Sequence, residues 1–139
     1  SAMPDVPAPD DCTPGDRGWG VPGTLGDQFD IRIAMEDEER GLQALWSRSQ
    51  AGFKSDSGWL AIVSDFFLGA HPATRGGSSL DDTFRFIQGC DDVWVLSVTE
   101  FAAFDRGVVH GSAKHFSQDG RLLAISSQSG VLPRIPRTP

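Results

Sequence analysis

Three polar positions stand out in the chain for the chemistry their side chains could do. Asp65 lies within "WLAIVSDFFLGA", the most apolar segment of the sequence. On an ideal helical wheel, at about 100° per residue, it falls beside Ala61 and Ile62 at the edge of the apolar face. A carboxylate there is partly desolvated, and its pKa rises unless donors hold it. The competing reading is a carboxylate that reaches solvent or bonds a neighbouring backbone amide. The second is the hydroxyl group of "GGSSLDDT" at a strand entry, where ordinary turn serines compete. The third is Gln128 in "LLAISSQSG". The strand could stop on Ser129-Gly130 alone, and a bare stop signal needs no long amide. An amide that simply bonds a loop is the plain alternative.

The histidines offer less. His71 follows the apolar segment in "GAHP" and reads as a loop residue. His110 and His115 have opposite parity on one strand, so they face opposite sides and cannot form a joint metal pair there. There is no Gly-x-Ser-x-Gly elbow and no Gly-rich phosphate loop. A Ser-His-Asp triad finds no support. Cys12 and Cys90 lack metal-like spacing, so no metal or cofactor is expected. A reduced intracellular protein, cytoplasmic or peroxisomal, is the better expectation, with one disulfide as the alternative.

The elements that must position these residues follow from periodicity. The 139 residues, 39% hydrophobic, suit one compact domain with a real core. Net charge is −7, which argues against binding a nucleic-acid backbone as the main function. The acidic groups Glu36-Asp37-Glu38-Glu39 and Asp91-Asp92 read as solvated surface. No apolar run approaches 18 residues, so no membrane span is expected. Nor is a secretory signal, given the polar, proline-rich start. Residues 1–26, with Pro4, Pro7, Pro9, Pro14 and Pro22, read as an extended arm or linker outside the core. Ser1-Ala2 ahead of Met3 reads as a remnant of expression.

Residues 27–139 read as a single domain. "QFDIRIAM" alternates, with Phe29, Ile31, Ile33 and Met35 pointing one way, as a half-buried strand does. "LQALWSR" gives a second strand. "SGWLAIVSDFFLGAHP" reads as a helix with Ser57 as N-cap, and Trp59, Ile62, Val63, Phe66 and Phe67 on one face. Gly69 and Pro72 end it. Four strands follow: "SSLDDTFRFI", "VWVLSVTEF", "GVVHGSAKHFS" and "RLLAISSQ", the last two joined by a Gln118-Asp119-Gly120 hairpin turn. One long apolar helix must cover one face of an antiparallel sheet. That is an α+β domain, a curved sheet wrapped around a helix. The hot-dog fold has this shape, as do other α+β sheets.

The ordered set of segments resembles the C-terminal half of the acyl-CoA thioesterase II family, the double hot-dog thioesterases. "MPDVPAPDD" resembles the linker between that family's two hot dogs, "LWSR" its short Trp-x-Arg strand, and "VSDFFL" its helix bearing a catalytic aspartate. "SSLDDTFRF", "DDVWVL" and "GVVHGSAKHFSQDGRLLAISSQSGVL" resemble its later strands and closing hairpin. The resemblance implies a hot-dog fold and thioesterase activity on acyl-CoA or acyl-carrier thioesters. It places the family's aspartate on Asp65, its serine or threonine on Ser79 and its glutamine on Gln128. Asp65 is then the general base, and Ser79 and Gln128 orient the attacking water.

Two details depart from the family. Asp81-Asp82 stands where it often has Asp-His, and Gln128-Ser129-Gly130 where it has Gln-Glu-Gly. The family's N-terminal hot dog is not in this chain, so a homodimer or pairing with a second hot-dog domain is expected. A hydratase or dehydratase is the first alternative, though "SDFFLGAHP" lacks the Asn-Pro those enzymes carry. A non-catalytic acyl-binding or assembly half-domain is the second.

Overall fold

The computed structural model describes residues 3–14, 29–37, 39–64, 78–105 and 108–131. The strands are β1 (Thr13–Pro14), β2 (Phe29–Asp37), β3 (Leu42–Ser49), β4 (Ser78–Phe86), β5 (Val95–Asp105), β6 (Val108–Phe116) and β7 (Leu122–Val131). The described helix is α1 (Ser57–Ser64). All strands join one antiparallel sheet in the order β1-β2-β3-β5-β6-β7-β4. Helix α1 packs on β4, β6 and β7. This is the α+β hot-dog arrangement that the element order anticipates. The helix expected past Ser64, with Phe66, Phe67, Gly69 and Pro72, lies outside the described residues. Among the described residues no helix is long and apolar enough to cross a membrane.

The start of α1 differs from the expectation. Asp56, not Ser57, is the cap: its Oδ1 accepts the Trp59 backbone N–H at 2.9 Å. A carboxylate there satisfies an orphan donor and meets the positive end of the helix dipole. The buried face is Trp59, Leu60, Val63 and Ser64, while Ile62 is 39% exposed. The face is rotated by about a residue because Trp59, Leu60 and Val63 seat against Val95, Leu123 and Ala124. Trp59 also stacks on Phe29, centroids 5.1 Å apart.

Strand β2 carries a second correction. Ile33 pairs with Leu45 but Met35 pairs with Ala44, with a bulge between them. The extra residue reverses the side-chain parity. Met35 therefore leaves the face shared by Phe29, Ile31 and Ile33 and packs with Ala44, Trp46 and Leu96 on the other side of the sheet. The Asp-Gly turn forms as anticipated, with Gly120 at φ 90° and its N–H donating to the Ser117 carbonyl at 3.1 Å.

The described part of the N-terminal arm is not held off the core. Pro9–Asp11 make a 3-10 turn, and Thr13 and Pro14 pair with Ile33 and Arg32. Cys12 is buried with Trp46, Trp94 and Phe116, and Met3 and Val6 pack against that cluster. The arm adds a lid to the sheet face opposite α1, because Trp46 and Trp94 would otherwise leave a large apolar patch in water. The junction between arm and domain falls within 15–28, outside the described residues. Cys12 and Cys90 are both free. Cys12 packs in the Trp46 cluster and Cys90 against the cluster around α1, so the alternative of one disulfide is not realised. Burial, then the neighbouring Asp11 charge, raises the Cys12 thiol pKa.

A side-chain bond adds to this pairing and packing: Trp46 Nε1–H donates to the Pro7 carbonyl at 2.9 Å. Trp46→Phe keeps a ring and deletes the donor, which costs about 1 kcal/mol of stability in urea unfolding. Cys12 should then react faster with a thiol reagent. Unchanged stability together with unchanged reactivity would show that the arm is not held by this bond.

Candidate functional site

Gln128 is where the structure speaks most directly. Along β7, Ala124, Ser126, Gln128 and Gly130 are buried, while Ile125, Ser127 and Ser129 are only partly covered. Ala124 packs against α1, so Gln128 is on the helix side of the sheet. It is 1% exposed and stands between Gly111 of β6 and Asp82 of β4. A long amide at this place is an interior group, not a surface stop.

Ser79 lies on β4, the strand next to β7. Its register partner is Gly130, which shares Gln128's face of β7. A bulge between Ser79 and Asp81 sets this pairing. Without it, the parity of β4 would shift by one residue and Leu80 would stand opposite Gly130. The structure thus brings the backbone at Ser79 and the Gln128 side chain to neighbouring strands. Asp65 lies outside the described residues. The residue before it, Ser64, is fully buried and donates its hydroxyl to the Ala61 carbonyl at 2.8 Å.

Sequence reasoning missed how polar this interior is. Gln43, Ser47, Ser97, Thr99, His115 and Ser126 are all buried. The signal was present as polar residues two apart within apolar strands, Ser97 and Thr99 on β5 and Ser126 and Gln128 on β7. At its centre His115 bridges Ser97 Oγ, 2.8 Å from Nδ1, and Ser126 Oγ, 3.0 Å from Nε2. A neutral ring has one donor and one acceptor nitrogen, so one serine donates to the ring and the other accepts. Burial alone lowers the His115 pKa to about 4. The ring is therefore neutral near pH 7, a fixed crosslink one step along β7 from Gln128. His110, of opposite parity, is exposed and meets Ser129 Oγ at 2.8 Å, as the sequence argument required. Among the described residues no cluster of His, Cys, Asp or Glu could hold a metal ion.

The site can thus offer a buried amide beside a hydroxyl-bearing strand under an apolar helix. It suits holding a small polar molecule against a carbonyl compound in a dry layer. A family model described as the acyl-CoA thioesterase C-terminal domain matches residues 5–132. Among solved structures, a provisionally named thioesterase from Novosphingobium aromaticivorans is 29% identical with TM-score 0.82, covering 96% of this chain and 55% of that one. The acyl-CoA thioesterase II TesB2 from Mycobacterium marinum is 28% identical with TM-score 0.74, covering 98% and 57% respectively. A hot-dog protein of unknown function from Alicyclobacillus acidocaldarius is 22% identical with TM-score 0.77, covering 98% and 56%, and its likeness concerns the fold. The chain thus spans little more than half the length of these solved relatives. Against curated proteins it has no match.

Proposed function

From the membership of this chain in the acyl-CoA thioesterase C-terminal domain family, we propose that it hydrolyses acyl thioesters, of coenzyme A or of an acyl carrier, by direct attack of water. Asp65 takes a proton from the water as its oxygen bonds to the thioester carbonyl carbon. Ser79 and Gln128 hold that water. Collapse of the tetrahedral intermediate breaks the carbon–sulfur bond, and the thiolate leaves and takes up a proton. A thioester needs no strongly activated nucleophile, so a positioned water beside a carboxylate suffices. The observation that carries this reading is Gln128 buried on the helix side of the sheet, a strand away from Ser79, in a chain whose family match runs through both. Release of free thiol from acyl-CoA substrates tests it. Loss or gain of a conjugated enoyl thioester without thiol release would instead select the hydratase alternative. An intracellular setting, cytoplasmic or peroxisomal, suits the two free thiols.

Assembly is the second part of the proposal. Among the described residues strand β4 (Ser78–Phe86) pairs only with β7, and no described strand pairs along its other side. The opposite edge is the two-residue β1. A long open edge is a template for strand pairing, and Phe86 and Ile87 at its end are 43% and 46% exposed. We expect β4 to meet a second hot dog, from another copy or from a separate domain. Light scattering on the chain alone should give a dimer mass that falls on Phe86→Pro, because the register that points the Ile87 N–H to β7 turns the Phe86 N–H to the outer edge. A clean monomer at working concentration contradicts the homodimer.

A further inference from the structure

On the sheet face turned away from α1, the described part of the arm packs over β3, β5 and the Phe116 and Leu122 ends of β6 and β7. Farther along β4, β6 and β7, Thr83, Arg85, Ser112 and Lys114 are exposed. There the register lays out two rows. Arg85, Ile125 and Lys114 form one, and Thr83, Ser127 and Ser112 the next. These six residues line a shallow groove of about 390 Å³. Its cations differ from the other described ones. Arg32 and Arg48 pair with Asp30, Arg40 with Asp37, Lys54 with Asp91 and Arg121 with Asp119. Among the described residues, Arg85 and Lys114 are the cations without a carboxylate partner, and they share one groove. Glu100, opposite Ser112 in register, stands at the β5 side and makes no ion pair with Lys114. In a chain of net charge −7, two unpaired cations side by side are an anion site by charge complementarity.

We propose that this groove binds a diphosphate-bearing small molecule, seated over Ile125 between Arg85 and Lys114. The cations rise from strands two spacings apart, roughly 10 Å, so their long side chains converge over the apolar floor. A guanidinium fork, an ammonium and three hydroxyl donors outnumber the two oxygens of a carboxylate. They match the row of oxygens on a diphosphate. The groove is too small to be a macromolecular interface by itself. It lies on the face opposite Gln128, so it is separate from the proposed thioester site and does not rest on it.

The test is amide and side-chain NMR of the chain titrated with inorganic pyrophosphate at low salt, with ADP as a second ligand. Shifts should cluster at Thr83, Arg85, Ser112, Lys114, Ile125 and Ser127, and weaken as salt rises. Arg85→Gln and Lys114→Gln should each lower the affinity about tenfold, the worth of one charge-assisted hydrogen bond. Glu100→Gln should raise it, and Lys54→Gln, which removes a paired cation elsewhere, should leave it unchanged. ADP binding tighter than pyrophosphate marks the ligand as nucleoside-linked; equal binding marks the diphosphate alone as sufficient. No clustered shift, or an equal loss in Lys54→Gln, overturns the proposal.

Discussion

Asp65→Asn should lower the turnover number for thioester hydrolysis by about 10²–10⁴-fold, the range for loss of a general base. The amide keeps the shape and can still hydrogen-bond, but it cannot accept the proton of the attacking water. The fold should survive, because the amide matches the carboxylate in shape and removes a charge from the most apolar segment of the sequence. Gln128→Ala and Ser79→Ala should lose less, since on this account they only orient the water. Steady-state kinetics beside thermal melting separates the outcomes. A variant as active as the parent removes Asp65 from the mechanism. A variant that fails to fold assigns the carboxylate to structure.

The second large effect is on stability, and it runs through His115. Its pKa is about 4 in the fold, against an ordinary 6.5, because the ring is fully buried. Above pH 6.5 the ring is neutral in both folded and unfolded chains, and its contribution is fully present. As pH falls below 6.5 the unfolded chain takes up a proton that the folded chain refuses until about pH 4. Stability is therefore lost progressively between those values, by about 3 kcal/mol for a shift of this size. Below about pH 4 this contribution levels off. Carboxylates also titrate at the low end, so the readout is the difference between the parent and His115→Gln in urea unfolding from pH 7 to 4. The parent curve should fall more steeply between pH 6.5 and 5. Imidazole NMR gives an independent check, with the His115 ring still neutral at pH 5.5. A ring that titrates near 6.5 contradicts the buried relay between Ser97 and Ser126.

Much of the fold was legible because it is written in local periodicity. The alternation of β2, the apolar run of α1 and the Asp119-Gly120 turn each report on a window of a few residues, and their order already specifies a sheet wrapped on one helix. What was not legible depends on pairing between distant segments. Nothing local to Ile33-Ala34-Met35 announces the bulge that sends Met35 to the Trp46 side; the register with Leu45 and Ala44 sets it. Five prolines in residues 1–26 argued for an arm outside the core, yet Trp46 and Trp94 supply the apolar surface on which Met3–Cys12 settle. The helix face was misjudged at Ile62 because the wheel gives a direction, while Val95, Leu123 and Ala124 decide which residues it seats. At the site, Gln128 could be singled out as an amide with no local duty. That it lies on the strand next to Ser79 could not, since that follows from the β4–β7 ladder. His115 showed only its parity; the serines that hold it come from two other strands.

The most direct test of the central claim is the release of free thiol from a panel of acyl-CoA substrates of increasing chain length by this chain, read with a thiol-reactive dye. Measured alongside oligomeric mass, the account predicts saturable thiol release on at least one chain length by the assembled protein. A folded, assembled protein that binds acyl-CoA and releases no thiol from any member of the panel contradicts it, and leaves an acyl-binding half-domain in its place.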